Sequence, residues 1–271
     1  MTSAAHEAAR TFTEDERTAM RRAVSLARRG LGTVAPNPVV GAVILDREGR
    51  QAGAGWHRKA GDRTPRSTPC APPDLSPGRH RRGHPRTLQP AGPHRPCTRA
   101  LLDAGIRRVV YAVSDPTLSG EGAAALREAG VDVRSGLLAE RAAEVNHAWL
   151  ASSVTRRPHV TLKLAATLDG RIAARDGSSR WITGPPARRD THLLRARTDA
   201  IAVGSNTVLV DDPELTARDP AGRPRGRQPV RVVFDRRLRT TAGSRLASDG
   251  AAPPGSSPPG RRGTGTSERP S

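Results

Sequence analysis

The chain has 271 residues, enough for one large domain or two ordinary ones, and a formal charge of +19 from 45 basic and 26 acidic residues. Only 2% of the residues are aromatic, which leaves a nucleic-acid strand little to stack on, and two cysteines are too few for a disulfide scaffold. No apolar run reaches the roughly 18 residues of a membrane span, and no charged-then-apolar leader pattern occurs, so the expectation is a cytoplasmic protein with no membrane partner. The arginine-for-lysine bias and the load of alanine, proline and glycine are those of a GC-rich genome. Part of the excess charge also lies in two anomalous segments, so nucleic acid is not an expected partner despite a pI near 11.6.

In chain order, residues 1–14 are polar. Asp15 to Arg29 reads as a helix with Met20, Ala23, Val24 and Ala27 on one face, stopped by Gly30 and Gly32. The turn Pro36-Asn37-Pro38 feeds an apolar strand over Val39 to Leu45, and a second strand follows near Gln51 to Gly55. From 62 to 95 the pattern is lost: prolines and arginines accumulate, no apolar period remains, and the segment is expected to be disordered and to hold no strand. Periodicity returns with a helix over Thr98 to Ala104 and a strand over Arg107 to Val113. A helix over Gly122 to Ala129, a short strand at Val131 to Val133 and one helix from Leu138 to Trp149 follow. This alternation predicts a three-layer α/β domain. A short basic linker is placed near Thr155 to Pro158.

The stretch from His159 to Arg218 is the most self-consistent part of the chain. Val160, Leu162 and Leu164 alternate with Thr161, Lys163 and Ala165, the pattern of a half-buried strand. Asp169-Gly170 is a turn pair, since glycine accepts positive φ. Thr183 is positioned to cap a helix entered through Gly184-Pro185-Pro186, with Ala187, Leu193 and Leu194 on its apolar side. Asp199 to Gly204 reads as a buried strand. Ser205-Asn206-Thr207 then opens a helix whose free N–H groups suit a phosphate. Val230 to Phe234 is a further buried strand, and residues 248–271 contain nothing large and apolar enough to pack.

On residue chemistry alone these features have plain alternatives. Taken alone, Asp169-Gly170 is more often a hairpin turn than a site, Trp181 more often a core aromatic, and Arg195 and Arg218 solvated surface. Lys163 stands apart. The only lysines are Lys59 and Lys163, and a lysine inside a strand of an arginine-using chain points to a need for a compact ammonium.

Three motifs, Lys163-Leu164-Ala165-Ala166-Thr167-Leu168-Asp169-Gly170-Arg171, Ser179-Arg180-Trp181-Ile182-Thr183 and Thr207-Val208-Leu209-Val210-Asp211-Asp212-Pro213, with Leu194-Arg195 between them, carry a resemblance. They resemble the reductase domain of the bifunctional riboflavin-biosynthesis deaminase–reductase family, a relative of dihydrofolate reductase. The resemblance implies that Ala165, Trp181, Thr207 and Asp211 face the dinucleotide of NADPH. It implies that Ser179, Arg195, Leu215 and Arg218 face the substrate and its phosphate, and that Lys163 and Asp211 are catalytic. Arg236 follows Asp235 where the family often has a cofactor-touching serine.

The opening of the chain is similar to the same family's cytidine-deaminase-like domain, with Asn37 matching the asparagine that touches the pyrimidine. That family holds zinc with one His and two Cys, the metal lowering the pKa of its water to about 7, and a Glu moves the proton. Only Cys97, in Pro96-Cys97, is left of that set. His57, His80, His84 and His94 offer no zinc-ligand spacing with Cys70 or Cys97.

Pro-His-Ala-Glu-Val-His-Ala-Leu-Arg written in GC-rich codons and read one base out of frame gives Thr-Pro-Arg-Ser-Thr-Pro-Cys, which is Thr64 to Cys70 as it stands. The expectation is therefore a segment translated out of frame over 62–95 and a second break after about 248. The expected organisation is a deaminase-like domain over 15–154, an incomplete dihydrofolate-reductase-like domain over 159–247, and a disordered tail over 248–271. The intact family member would deaminate a pyrimidine ribosyl phosphate and reduce its ribosyl group to ribityl. As written, the deaminase is expected to be inactive and the reductase to have an open sheet edge, covered at best by homo-oligomerisation. The other readings are a decayed chain without activity and a basic RNA-binding protein.

Overall fold

Strands β1 (Gly41–Leu45) and β4 (Arg108–Val113) are apolar on both faces, and a strand of that kind needs a covering layer on each side. A computed structural model, describing residues 12–60, 86–91, 95–117 and 120–248 and omitting the side chains of 86–97, supplies both layers. The chain divides into two compact units, residues 1–163 and 164–271.

In the first unit β1, β2 (Gln51–Trp56), β3 (Arg86–Ala91), β4 and β5 (Asp132–Ser135) form one sheet in the order β2-β1-β3-β4-β5. β1 pairs antiparallel with β2 and with β3, and β3, β4 and β5 run parallel. Successive side chains of a strand point to opposite faces. Val43 and Leu45 of β1 and Val110 and Ala112 of β4 therefore meet α1 (Glu14–Ala27) through Met20, Ala23 and Val24. Ala142 of α4 (Ala139–Val145) closes the same cluster. Ile44, Val109 and Tyr111 point the other way, onto Leu101 of α2 (Arg95–Asp103) and Ala123 and Leu126 of α3 (Glu121–Glu128). This is the expected three-layer arrangement.

The expectation of no strand within 62–95 is corrected at 86–91. β3 lies at the centre of the sheet, hydrogen-bonded to β1 on one side and β4 on the other. A ladder is made by main-chain groups, and two well-formed neighbours template it without an apolar period in the segment itself. Residues 61–85 and 92–94, with Cys70, His80, His84 and His94, lie outside the described residues.

The helix expected over Leu138 to Trp149 is two helices, α4 and α5 (His147–Thr155), and α5 runs into the expected linker. The break is at Asn146, whose buried side chain reaches Val39 and also donates to Ala142 O at 3.5 Å. Its Oδ1 accepts from Val39 N at 2.9 Å and its Nδ2 donates to Val39 O at 3.1 Å. The start of α1 is fixed by a capping box: Thr13 Oγ1 accepts from Glu16 N, and Glu16 Oε2 accepts from Thr13 N at 3.0 Å.

Glu16 also carries the sheet's electrostatics. Its side chain is fully buried and its Oε1 lies 2.9 Å from Arg108 Nε. Arg108 continues to Asp132 at 2.8 Å, and Asp132 to Arg134 at 2.7 Å. The chain of charges ties α1 to the first residues of β4 and β5.

The second unit holds α6 (Pro185–Arg197), β6 (Ala200–Gly204), α7 (Ser205–Asp211), β7 (Val230–Phe234) and α8 (Arg245–Ser248). β6 and β7 form a parallel pair, Ala200 opposite Val230 through Gly204 opposite Phe234. Several expectations are corrected here. Neither strand is buried: β6 alternates between exposed and half-buried positions, and β7 has three half-buried residues between exposed ends. α6 buries no residue, so its apolar side is not a core face. Residues 160–165 form no strand, and Val160 and Leu162 are 83% and 80% exposed. The common cause is the lack of partners among the described residues. A parallel pair needs both faces covered, and an alternating segment becomes a strand only beside another strand. The Asp169-Gly170 turn does form, with Gly170 N donating to Thr167 O at 2.9 Å and Gly170 at φ 78°.

Removing Arg108 would take away the guanidinium that faces the fully buried Glu16 carboxylate. Arg108→Ala is therefore expected to cost about 3–5 kcal/mol in urea unfolding; a loss under about 1 kcal/mol would mean that Glu16 finds another counter-charge.

Candidate functional site

The second unit gathers most of the expected site residues through two short connections. α6 begins at Pro185, with Gly184 as its cap and no side-chain cap bond. Thr183, expected to cap it, instead offers its carbonyl to Arg188 Nη1 at 2.7 Å. Proline at the first helical position gives up no N–H that the helix needs, so the side-chain cap is dispensable. The same Arg188 guanidinium lies 4.5 Å from the Trp181 ring centroid and leaves the indole exposed.

The first group lies beside α7. Thr207 is in its first turn and Asp211 is its last residue, one turn apart on the same side. Asp211 is exposed and is held by Arg180, whose Nη2 donates to Asp211 Oδ1 at 3.2 Å and to its carbonyl at 3.3 Å. Arg180 therefore fastens the Ser179-Arg180-Trp181 loop to the end of α7. Ser179 is exposed in that loop, and Ala165 is half-buried.

The second group lines a cavity of about 250 Å³ between α6 and the loop that follows α7. Arg195 and His192 reach it from α6 at helical spacing. Both aim at one acceptor: Arg195 Nη1 donates to Thr216 O at 3.1 Å and His192 Nδ1 lies 3.2 Å from the same oxygen. Burial pulls the Arg195 guanidinium below its ordinary pKa, and among the described residues its buried Nε has no hydrogen-bond partner. Arg218 Nε donates to Thr216 Oγ1 at 3.1 Å, and its Nη2 donates to Glu214. Leu215 is buried with φ 54°, which turns the loop so that Glu214 and Thr216 both reach the cavity. Arg245, from the first position of α8, pairs with the other oxygen of Glu214.

Arg180, His192, Glu214 and Arg245 had no role assigned from the sequence. The spacing of His192 and Arg195, three apart on one helix, was a usable signal for the first pair. Nothing local marks the convergence of Glu214 and Arg245.

The remaining expected residues lie elsewhere. Lys163 and Asn37 are exposed in the first unit. Asn37 uses its main-chain N–H on Val34 O at 2.9 Å. Cys97 is on α2, with its side chain outside the described residues. Among the described residues no three His, Cys, Asp or Glu side chains stand together as metal donors. Among the described residues the donors do not make up a set of one His and two Cys with a Glu beside it. Among the described residues, too, no helix is long and apolar enough to cross a membrane.

The RibD C-terminal domain family matches residues 158–255. The riboflavin biosynthesis protein RibD of Aquifex aeolicus is 39% identical over 247 residues, covering 89% of this chain and 67% of that protein. Its counterpart in Escherichia coli is 41% identical over 243 residues, covering 84% and 65%. Among solved structures, a diaminohydroxyphosphoribosylaminopyrimidine deaminase/5-amino-6-(5-phosphoribosylamino)uracil reductase from Thermotoga maritima superposes with a TM-score of 0.73 at 35% identity, covering 83% of this chain and 64% of that one. The chain spans about two thirds of the length of these relatives. The fold is accordingly a deaminase-like three-layer unit followed by a unit of the dihydrofolate-reductase type.

His192 provides a test of the cavity's electrostatics. Desolvation, reinforced by the neighbouring Arg195 charge, lowers its pKa from the ordinary 6.5. With the folded value the lower one, the unfolded chain binds more protons as pH falls below 6.5. The stability that depends on neutral His192 is thus complete above pH 6.5 and is lost as pH falls through the folded pKa. NMR titration should put the imidazole midpoint below 6.5, and His192→Gln should flatten the stability profile in that window. A midpoint above 6.5 would contradict the placement of the ring beside Arg195.

Proposed function

The chain belongs to the RibD family of riboflavin biosynthesis proteins, and we propose that its second unit keeps the dinucleotide-binding and phosphate-binding surfaces of the family's reductase. The reaction proposed is reduction of the ribosyl group of a pyrimidine ribosyl phosphate to ribityl, with NADPH as cofactor. The observation that carries the reading is the double contact of Arg180 with Asp211. It joins the Ser179–Trp181 loop to α7, two segments of the motif separated by 31 residues.

The residues beside α7 fit a nicotinamide dinucleotide. Trp181 offers an exposed ring, Thr207 a hydroxyl in the first turn of α7, and Asp211 an exposed acceptor. Ala165 is the small residue that lets a flat group approach. When bound, the dinucleotide supplies the hydride. The chain's own share is orientation and charge. Asp211 accepts a ribose hydroxyl, and Arg180 fixes that carboxylate. Arg195 and Arg218 receive the substrate phosphate as guanidinium donors, with Ser179 and Leu215 completing the substrate contacts. Lys163, which adjoins this unit in sequence, is the proposed catalytic ammonium.

Wild-type protein is expected to bind NADPH saturably in a fluorescence titration. Asp211→Ala should weaken that binding by at least roughly tenfold, the scale of one lost charged hydrogen bond. Unchanged binding in Asp211→Ala would sink this reading of α7.

We propose, further, that the first unit keeps the deaminase fold without zinc-dependent deamination. Asn37 is the one substrate-facing residue carried over there, and Cys97 the one metal ligand. A single thiolate does not assemble the tetrahedral site. Elemental analysis of the purified chain should find zinc well below one equivalent, with no amine release from a pyrimidine ribosyl phosphate. Stoichiometric zinc would refute the proposal. The underlying cause, a reading-frame change over 62–95, is tested by resequencing that part of the gene: an in-frame His-Ala-Glu and Pro-Cys in the corrected read would establish it.

A further inference from the structure

The cavity between α6 and the 213–218 loop already contains an anion of its own. Among the described residues Glu214 is the only carboxylate lining it, and it uses both oxygens. Oε2 accepts from Arg218 Nη2 and from the Thr216 hydroxyl, and Oε1 pairs with Arg245 Nη2. Two guanidinium groups on different elements thus close on one carboxylate. The third, Arg195, lines the same space, and among the described residues its buried Nε has no hydrogen-bond partner.

The charges do not balance. Three guanidinium groups against one carboxylate leave two positive charges, with His192 neutral, in a partly enclosed space. A phosphate monoester dianion matches that excess. Its oxygens suit guanidinium donors in the way the Glu214 oxygens do, and it has a further oxygen for the Arg195 guanidinium. Arg245 is anchored by its main chain, N donating to Asp212 Oδ1 at 2.9 Å, so its side chain is free to exchange one anion for another. Arg218 is likewise anchored by its carbonyl, which accepts from Arg225 Nε at 3.2 Å.

We infer that Glu214 is a resident stand-in for the substrate's phosphate, and that Arg245 is a third phosphate-binding arginine beside Arg195 and Arg218. A phosphate monoester enters by displacing the Glu214 carboxylate from Arg218 and Arg245. The free cavity is thereby held closed by an internal ion-pair network, and phosphate affinity is set by competition with a side chain of the same loop. The inference rests on the reading of Arg195 and Arg218 as phosphate ligands.

The test uses the full chain and inorganic phosphate, followed by calorimetry. Glu214→Gln removes the competing charge and keeps the shape. It should bind phosphate about tenfold more tightly than wild type, the scale of releasing two partly exposed ion pairs. In that background Arg245→Ala should return the affinity toward the wild-type value. If Glu214→Gln binds phosphate no better than wild type while Arg195→Ala and Arg218→Ala weaken binding, the site is a phosphate site and the inference about Glu214 is wrong. If none of these variants changes phosphate binding, the phosphate reading of the cavity fails with it. Should Glu214→Gln not fold, the Arg245 Nε–H resonance of the wild-type protein decides the question: it shifts on phosphate addition if Arg245 changes partner, and an unmoved resonance overturns the inference.

Discussion

The first unit depends on the main-chain ladder of β3. This strand pairs antiparallel with β1 through Val43 to Leu45 and parallel with β4 through Arg108 to Val113. Without it the sheet would be two separate pairs, β2-β1 and β4-β5, each with an unpaired inner edge. The ladder places few demands on side chains. Each residue contributes one N–H and one C=O whatever its identity, proline excepted. The one proline, Pro90, falls beyond the residues that pair with β1 and is skipped in the pairing with β4. A segment with an unpromising sequence thus fills the central position of the sheet because its neighbours specify the place.

The second unit meets the opposite situation. Its side chains carry strong patterns, but the described residues give those patterns little to pack against. Val230 and Phe234 of β7 and Leu209 and Val210 of α7 are exposed. What holds this unit is a polar framework. Gln228 bridges Ala217 N and O, Arg227 joins Thr198 O and Asp199, and Asp235 accepts from Thr240 N at 2.6 Å. The Thr240 N–H bond is the largest influence on Asp235 and holds its carboxyl at about 2.

Legibility followed the range of the interaction. Helix α1 was readable because burial on a helix stripe leaves a periodic trace, and β1 and β4 because a strand buried on both faces leaves a short continuous apolar run. Thr13 and Glu16 also carried a readable signal, the capping-box spacing, which places the helix start ahead of Asp15. The pairing of Glu16 with Arg108, 92 residues away, left none. The same division runs through the candidate site. Asp211, Trp181 and Arg195 stand in local motifs. Arg180 stands in one of them too, but its partner is set by tertiary packing, as are those of Glu214 and Arg245. The strands β6 and β7 were read at the right places and given the wrong environment, because periodicity reports what a face is fit for and not what covers it.

The side chain of Asn146 has a consequence of its own. It meets Val39 with one acceptor and one donor, matching the N–H and the C=O of a single residue. Only a carboxamide offers that complementary pair at this length. An aspartate of the same shape would set an anionic oxygen against the Val39 carbonyl, and a longer glutamine would overshoot it. The conformation of the Pro36–Pro38 turn, and with it the direction in which Asn37 is presented, is therefore written into the chemical identity of an amide 107 residues further along the chain.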